Sequence, residues 1–142
     1  MAKKLVRTLL LLAALSLLPG CFSTTQKAHQ ALYGELKKAV AEADEIQVFS
    51  VKSDPKVGLV LSLKRSYRKG EPGFETLTEG FLKAGKAGVV ARAIPDRKIV
   101  LLSKGRKIYE FDYCTADRRM AKDVNGKYGV LFLSQKASKL LL

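Results

Sequence analysis

The chain predicts an α+β domain: an antiparallel sheet of about five or six strands with an N-terminal amphipathic helix, a short middle helix and a short C-terminal helix. Three observations carry this. Residues 25–43 repeat apolar side chains at spacings of three and four, the mark of a one-sided helix. Several short runs of β-branched, aromatic or alternating residues follow, bounded by Gly, Pro and Asp. Asn125-Gly126, the strongest two-residue hairpin signal in the chain, precedes the last of them.

The elements follow in order. From Thr25 to Ala43, Leu32, Leu36, Val40 and Ala43 form one stripe while Lys37, Lys38 and Glu42 face away. Glu45 to Val51 reads as a strand buried on both faces and ended by Ser53-Asp54-Pro55. Leu59 to Tyr67 alternates, with Leu59, Leu61, Leu63 and Tyr67 on one face and Ser62, Lys64 and Ser66 on the other. Lys69 to Gly73 is a loop, and Leu77 to Ala84 a short helix burying Leu77, Phe81 and Ala84. Gly88 to Ile94 and Lys98 to Ser103 are expected to form a hairpin around Pro95-Asp96-Arg97. Lys104-Gly105 then turns the chain into Arg106 to Cys114, where Tyr109, Phe111 and Tyr113 share one face and Glu110 and Asp112 the other. The stretch holding Arg118, Arg119 and Lys122 is a loop before the last hairpin. Tyr128 to Ser134 is the closing strand, and Ser134 caps a final helix ending at Leu142.

Ahead of this domain stands a leader. Lys3, Lys4 and Arg7 precede an apolar run from Leu9 to Leu18, the plan of a secretory signal whose apolar stretch is roughly 7–15 residues. It is short of the roughly 20 residues a spanning helix needs. Leu18-Pro19-Gly20-Cys21 resembles the lipobox of bacterial lipoproteins. That resemblance implies cleavage after Gly20 and a diacylglycerol thioether on Cys21, with palmitate-length chains as the membrane anchor. Residues 1–20 are then a signal peptide, 21–27 the lipidated N-terminus and tether, and 28–142 a single α+β domain. The expected address is export and lipid anchoring to the bacterial membrane, on the periplasmic side of the outer membrane if the organism has one. Two or three acyl chains hold a protein stably where one does not.

The mature part, through "EIQVFSV", "ARAIPDRKI" and "IYEFDYC", loosely resembles a group of small uncharacterised bacterial lipoproteins. Members often carry a Cys/His-containing stretch before a hairpin. Here Ala91 to Ile99 keeps Pro95 and Arg97 without the cysteine or histidine, so the resemblance transfers no bridge and no Cys/His site.

Catalytic constellations are absent from the sequence. His29 is the single histidine and is expected on a helix face. With Cys21 alkylated, Cys114 is the single free thiol, set among Glu110 and Asp112, which disfavour its thiolate. Zinc needs three or four clustered ligands, and neither a phosphate loop nor a Gly-x-Ser-x-Gly elbow occurs. Glu110 and Asp112 are two apart on one strand and are expected to pair with basic residues such as Arg92, Lys98 or Lys104 rather than to flank a substrate. No cofactor and no metal is expected.

Charge is the remaining signal. The chain carries 26 Lys and Arg against 13 Asp and Glu. Loss of Lys3, Lys4 and Arg7 with the leader leaves the domain at +10. Its clusters are Arg65, Arg68 and Lys69; Lys104, Arg106 and Lys107; and Arg118, Arg119 and Lys122. Such a field attracts polyanions. Anionic lipid, a wall polymer or an acidic protein are the partners expected outside the cytoplasm, besides the bilayer reached through Cys21. Single-stranded nucleic acid needs aromatic side chains interleaved with the basic groups, and the aromatics here fall on core faces. The expected function is a non-catalytic binding or structural module on the membrane, the alternative a cell-envelope enzyme.

Overall fold

The computed structural model of the chain describes residues 26–85 and 94–142. The leader, Gly20, Cys21 and most of the strand expected over Gly88 to Ile94 lie outside the described residues.

Six strands make one antiparallel sheet in the order β2-β1-β3-β4-β5-β6. They are β1 (Glu45–Asp54), β2 (Gly58–Arg68), β3 (Arg97–Ser103), β4 (Arg106–Cys114), β5 (Arg119–Val124) and β6 (Lys127–Phe132). A helix over residues 26–42 (α1), a second over Pro72–Leu82 (α2) and a short third over Gln135–Ser138 (α3), prolonged by a 3-10 turn over Lys139–Leu141, all pack on the same face. The α+β architecture expected from the residues is the one observed.

The core lies between the helices and that face. Leu32, Leu36 and Ala39 of α1, with Ala43 just after it, meet Ile46 and Val48 of β1, Ile99 and Leu101 of β3, Phe111 and Tyr113 of β4, Met120 of β5 and Leu131 of β6. Each fully buried Leu or Ile contributes about 1.5–3 kcal/mol relative to exposure. In α2, Phe74, Leu77 and Phe81 recur on one side, and Phe81 meets the Phe111 ring edge-on at 5.4 Å. Ser134 caps α3 by accepting from the Ala137 amide, and Ala137 and Leu141 seal the core. The tail is tied to the sheet through Tyr67 Oη, which donates to the Leu140 carbonyl at 2.8 Å, and Arg97 Nε, which donates to that of Leu141 at 3.1 Å.

The observed elements depart from the expected ones in five places, each with a physical reason. Strand β3 has no edge open for the expected hairpin partner, because β1 holds one edge over Arg97–Leu102 and β4 the other over its whole length. Strand β1 is buried on one face instead of two; Ile46, Val48 and Ser50 turn to the helices. Helix α2 starts at Pro72, within the expected loop, because proline's fixed φ and missing N–H suit a first helical position. The stretch holding Arg119 and Lys122 is β5, an added strand. The fifth departure concerns β2. A β-bulge opposite Val48 and Phe49 sets Arg65 across from Val48 but Leu63 across from Phe49, so that Lys64 is the extra residue. A one-residue shift reverses which face every later side chain occupies. Tyr67 therefore pairs with Ile46 on the helix side, while Leu59, Leu61 and Leu63 turn to the opposite face instead of sharing that of Tyr67.

The seam between α1 and the sheet is tightest at β6. A Cβ on Gly129 would sit 2.7 Å from the Ala28 carbonyl oxygen and 3.1 Å from Leu32 Cβ. Gly129→Ala is expected to destabilise the fold by about 1–3 kcal/mol, seen as a lower urea midpoint with an unchanged slope.

Candidate functional site

The sheet has two distinct ends. At one end lie the start of β1, the end of β2, the β3–β4 turn and the β5–β6 turn; Glu45 pairs with Arg68 on one side and Leu102 on the other, and Leu102 with Lys107. The start of α1 lies at this end too, where Lys27, Ala28 and Ala31 border a hollow with Val124, Asn125 and Lys127. At the other end lie the β1–β2 turn, the β4–β5 turn and the end of β6.

Five of the nine basic residues singled out from the sequence converge on the first end. Arg68, Lys69, Lys104, Arg106 and Lys107 are exposed there, and Lys27 and Lys127 line the hollow at the β5–β6 turn of the same end. Asp44 organises this end through the backbone: its carbonyl accepts from the Lys69 amide at 2.8 Å and its Oδ2 from the Lys104 amide at 2.9 Å. Lys104 and Gly105 both take positive φ, 53° and 77°, as do Asn125 and Gly126 at 54° and 80°. Both turns have the left-handed conformation that matches the twist of a tight hairpin. Lys107 is 3.3 Å from Glu110 in a half-exposed pair, an arrangement worth little net energy. Glu45 is engaged by the Ser66 hydroxyl.

The other four residues do not join them. Arg65 stands midway along β2, exposed. Arg118 occupies the turn at the opposite end, at φ 60°. Arg119 is buried and its guanidinium lies 2.7 Å from Asp117. Lys122 points to the helix side, where Nζ donates to the Glu110 carbonyl at 2.6 Å and lies 4.6 Å from the centre of the Tyr109 ring. Arg119 and Lys122 are thus engaged within the domain, apart from the five that share the first end.

Lys122 opens a small polar chain that the sequence did not reveal. Tyr109 Oη donates to Glu35 Oε2 of α1 at 2.7 Å, beside a shallow hollow of about 440 Å³ lined by Glu35, Lys38, Ala39, Glu42, Ile108 and Tyr109. Burial, then the bond to Glu35, holds the Tyr109 phenol well above its ordinary range. The strand alternation placed Tyr109 on the helix side, but pairing with a residue 74 positions away has no sequence signal.

His29, expected on a helix face, is buried at the outer edge of β6, and its Nδ1 accepts from the Val130 amide at 2.8 Å. Bonded this way, the ring caps the edge. Cys114 ends β4 as a buried thiol. Asp112 lies 3.4 Å from Lys98, one of the partners expected for it. Among the described residues no group of three or more His, Cys, Asp and Glu gathers as a metal site requires.

Comparison with protein-family models, with curated proteins and with solved structures finds no match.

The buried phenols set an alkaline limit on stability. Burial pushes the Tyr113 hydroxyl up to about 12, above the value near 10 of an unfolded tyrosine. The unfolded chain then loses a proton that the folded one keeps, so stability is intact below pH ~10 and falls as pH rises toward ~12. Tyr109 acts in the same direction. Urea midpoints measured across this range are expected to fall with pH, and Tyr113→Phe to fall less steeply.

Proposed function

We propose that the chain is a lipid-anchored envelope protein, held by Cys21, whose basic sheet end lies against an anionic surface. The observation that carries this reading is geometric. The start of α1, the point nearest Cys21 in the chain, and the basic turns share one end of the sheet. Four residues separate Cys21 from Gln26, a span of at most roughly 17 Å. A lipid at Cys21 would therefore hold Arg68, Lys69, Lys104, Arg106 and Lys107 close to head groups. Near such a surface each basic side chain contributes about 1 kcal/mol, within a Debye length of ~8 Å. The domain serves as a binding module, with no chemistry assigned to it.

Two measurements test this. Metabolic labelling with palmitate should mark the wild type and not Cys21→Ser; label retained on the variant removes the anchor. Binding of the soluble fragment 22–142 to phosphatidylglycerol vesicles should weaken steeply with salt. The triple variant Lys104→Glu, Arg106→Glu, Lys107→Glu should lower it by roughly a hundredfold or more at low salt. Salt-independent binding, or binding unmoved by the triple change, would sink the surface role.

A further inference from the structure

The two edges of the sheet are treated differently. At β6, His29 takes the Val130 amide, and Gly85 exchanges two backbone bonds with Phe132, at 3.1 and 2.8 Å. At β2 no strand among the described residues pairs with the outer edge, along the whole length from Gly58 to Arg68.

Natural sheets protect such edges with charge, proline, bulges or short length. Strand β2 has those devices only in its second half, where the bulge at Lys64 and the charge of Arg65 interrupt the ladder. Its first half, Gly58-Leu59-Val60-Leu61-Ser62-Leu63, contains no charge and no proline. Leu59, Leu61 and Leu63 are 73%, 49% and 54% exposed, on the face away from the helices, with Val51 and Phe49 half-buried beside them. The bulge is what turns them there. The last bond from the β3 side is that of the Val51 amide to the Asp96 carbonyl at 3.0 Å, so among the described residues Lys52 to Asp54 and their partners form a two-stranded ribbon.

We infer that the outer edge of β2, over Gly58 to Leu63, receives an added strand from a partner protein whose apolar extended run is bracketed by acidic residues. Charge selects this occupant. The apolar run is flanked by Lys56 on one side and Lys64 and Arg65 on the other, with Lys52 of β1 across from Val60. The one acid at the tip, Asp54, already accepts the Lys56 and Val57 amides at 2.7 and 3.2 Å. A second copy of the chain fits poorly. Antiparallel self-pairing centred on Val60, or between Val60 and Leu61, brings the turn that carries Lys56 to Lys64 and Arg65 of the other copy, in each case twice. Like charges placed opposite one another are destabilising. Strand addition takes its affinity from main-chain hydrogen bonds and its specificity from alternate side chains, and Leu59, Leu61 and Leu63 supply the alternate apolar contacts.

The direction of presentation rests on the anchored reading. Nine residue steps of ~3.3 Å separate Glu45 from Asp54, so the tip stands about 30 Å from the basic end and points away from the bilayer. The edge itself exists with or without the anchor.

The test is amide hydrogen exchange on the full-length chain in mild detergent, with and without the synthetic peptide Asp-Glu-Val-Thr-Val-Thr-Val-Glu-Asp. The peptide should slow exchange of the alternate Gly58–Leu63 amides that face away from β1. Its binding should fall roughly tenfold or more in Leu61→Glu and in Leu59→Glu, each replacing a largely exposed side chain. A peptide with Lys at its ends should bind more weakly. Unchanged binding in both variants, or protection confined to β6, would overturn the proposal. Protection of the same amides by phosphatidylglycerol vesicles alone would replace the strand with a bilayer, and a concentration-dependent dimer lost in Leu61→Glu would replace it with a second copy. The same peptide binding by Cys21→Ser would separate this site from the anchor, since failure of either reading leaves the other measurable.

Discussion

A single sheet has an apolar face to hide, and α1 does most of the hiding. Its stripe runs from the close approach of Ala28 and Leu32 to Gly129 at β6, past Tyr109 of β4, to Ala43 beside the start of β1. Helix α1 therefore crosses the strands and ties the last strand to the first two. Helix α2 and the C-terminal turns fill the rest, with Gly80 drawn so close to Ala137 that a Cβ there would sit 2.5 Å away. Because α1 starts at the end that carries the basic turns, the packing that closes the core also decides which end of the domain faces an anchor attached ahead of it.

Acids stand among the cations at that end. The Asp44 carboxylate accepts the Lys104 amide and that of Asp123 the Gly126 amide, Glu45 is engaged by Ser66, Glu110 lies beside Lys107, and Glu71 follows Lys69 by two residues. The remaining basic side chains keep their fields for solvent. Elsewhere some positive charges are absorbed, Arg119 by Asp117, Lys98 by Asp112 and Lys122 by a carbonyl and an aromatic face, while Lys52, Lys56, Lys64 and Arg65 along the β1–β2 hairpin stay exposed. The excess of lysine and arginine is thus sorted by position into cations that hold the fold and cations that face outward.

Local signals are legible in the sequence. The α1 stripe, the Arg106–Cys114 strand, the Asn125-Gly126 turn and the Ser134 cap each rest on a few adjacent residues, and each is found where those residues place it. Relations between distant residues were not legible. That β3 sits between β1 and β4 depends on pairing Ile46 with Leu101, which no periodicity announces. The bulge at Lys64 is invisible to a rule of strict alternation, so three leucines expected on the Tyr67 face lie on the opposite one. The basic clusters were legible as charge but not as geometry. Only the sheet order separates the five residues that share an end from Arg65 and Arg118, burial sets Arg119 apart, and the Glu110 carbonyl and Tyr109 ring hold Lys122 on the helix side.

The position of β3 in the sheet also shapes how the chain folds. The β1–β2 hairpin is closed by a short local turn, but its neighbour β3 is about fifty residues further along. Non-local pairing of this kind is slow, because loop closure precedes any gain from contact. Until β3 docks, the hairpin has two open edges and its uncharged hexapeptide is exposed to other unfolded chains. Lys56 at one end of that segment and Lys64-Arg65 at the other then act as gatekeepers, since charges flanking a β-prone run oppose its stacking with copies of itself. The same four positive charges that choose a partner for the finished edge protect it while the molecule is still incomplete, Lys52 included.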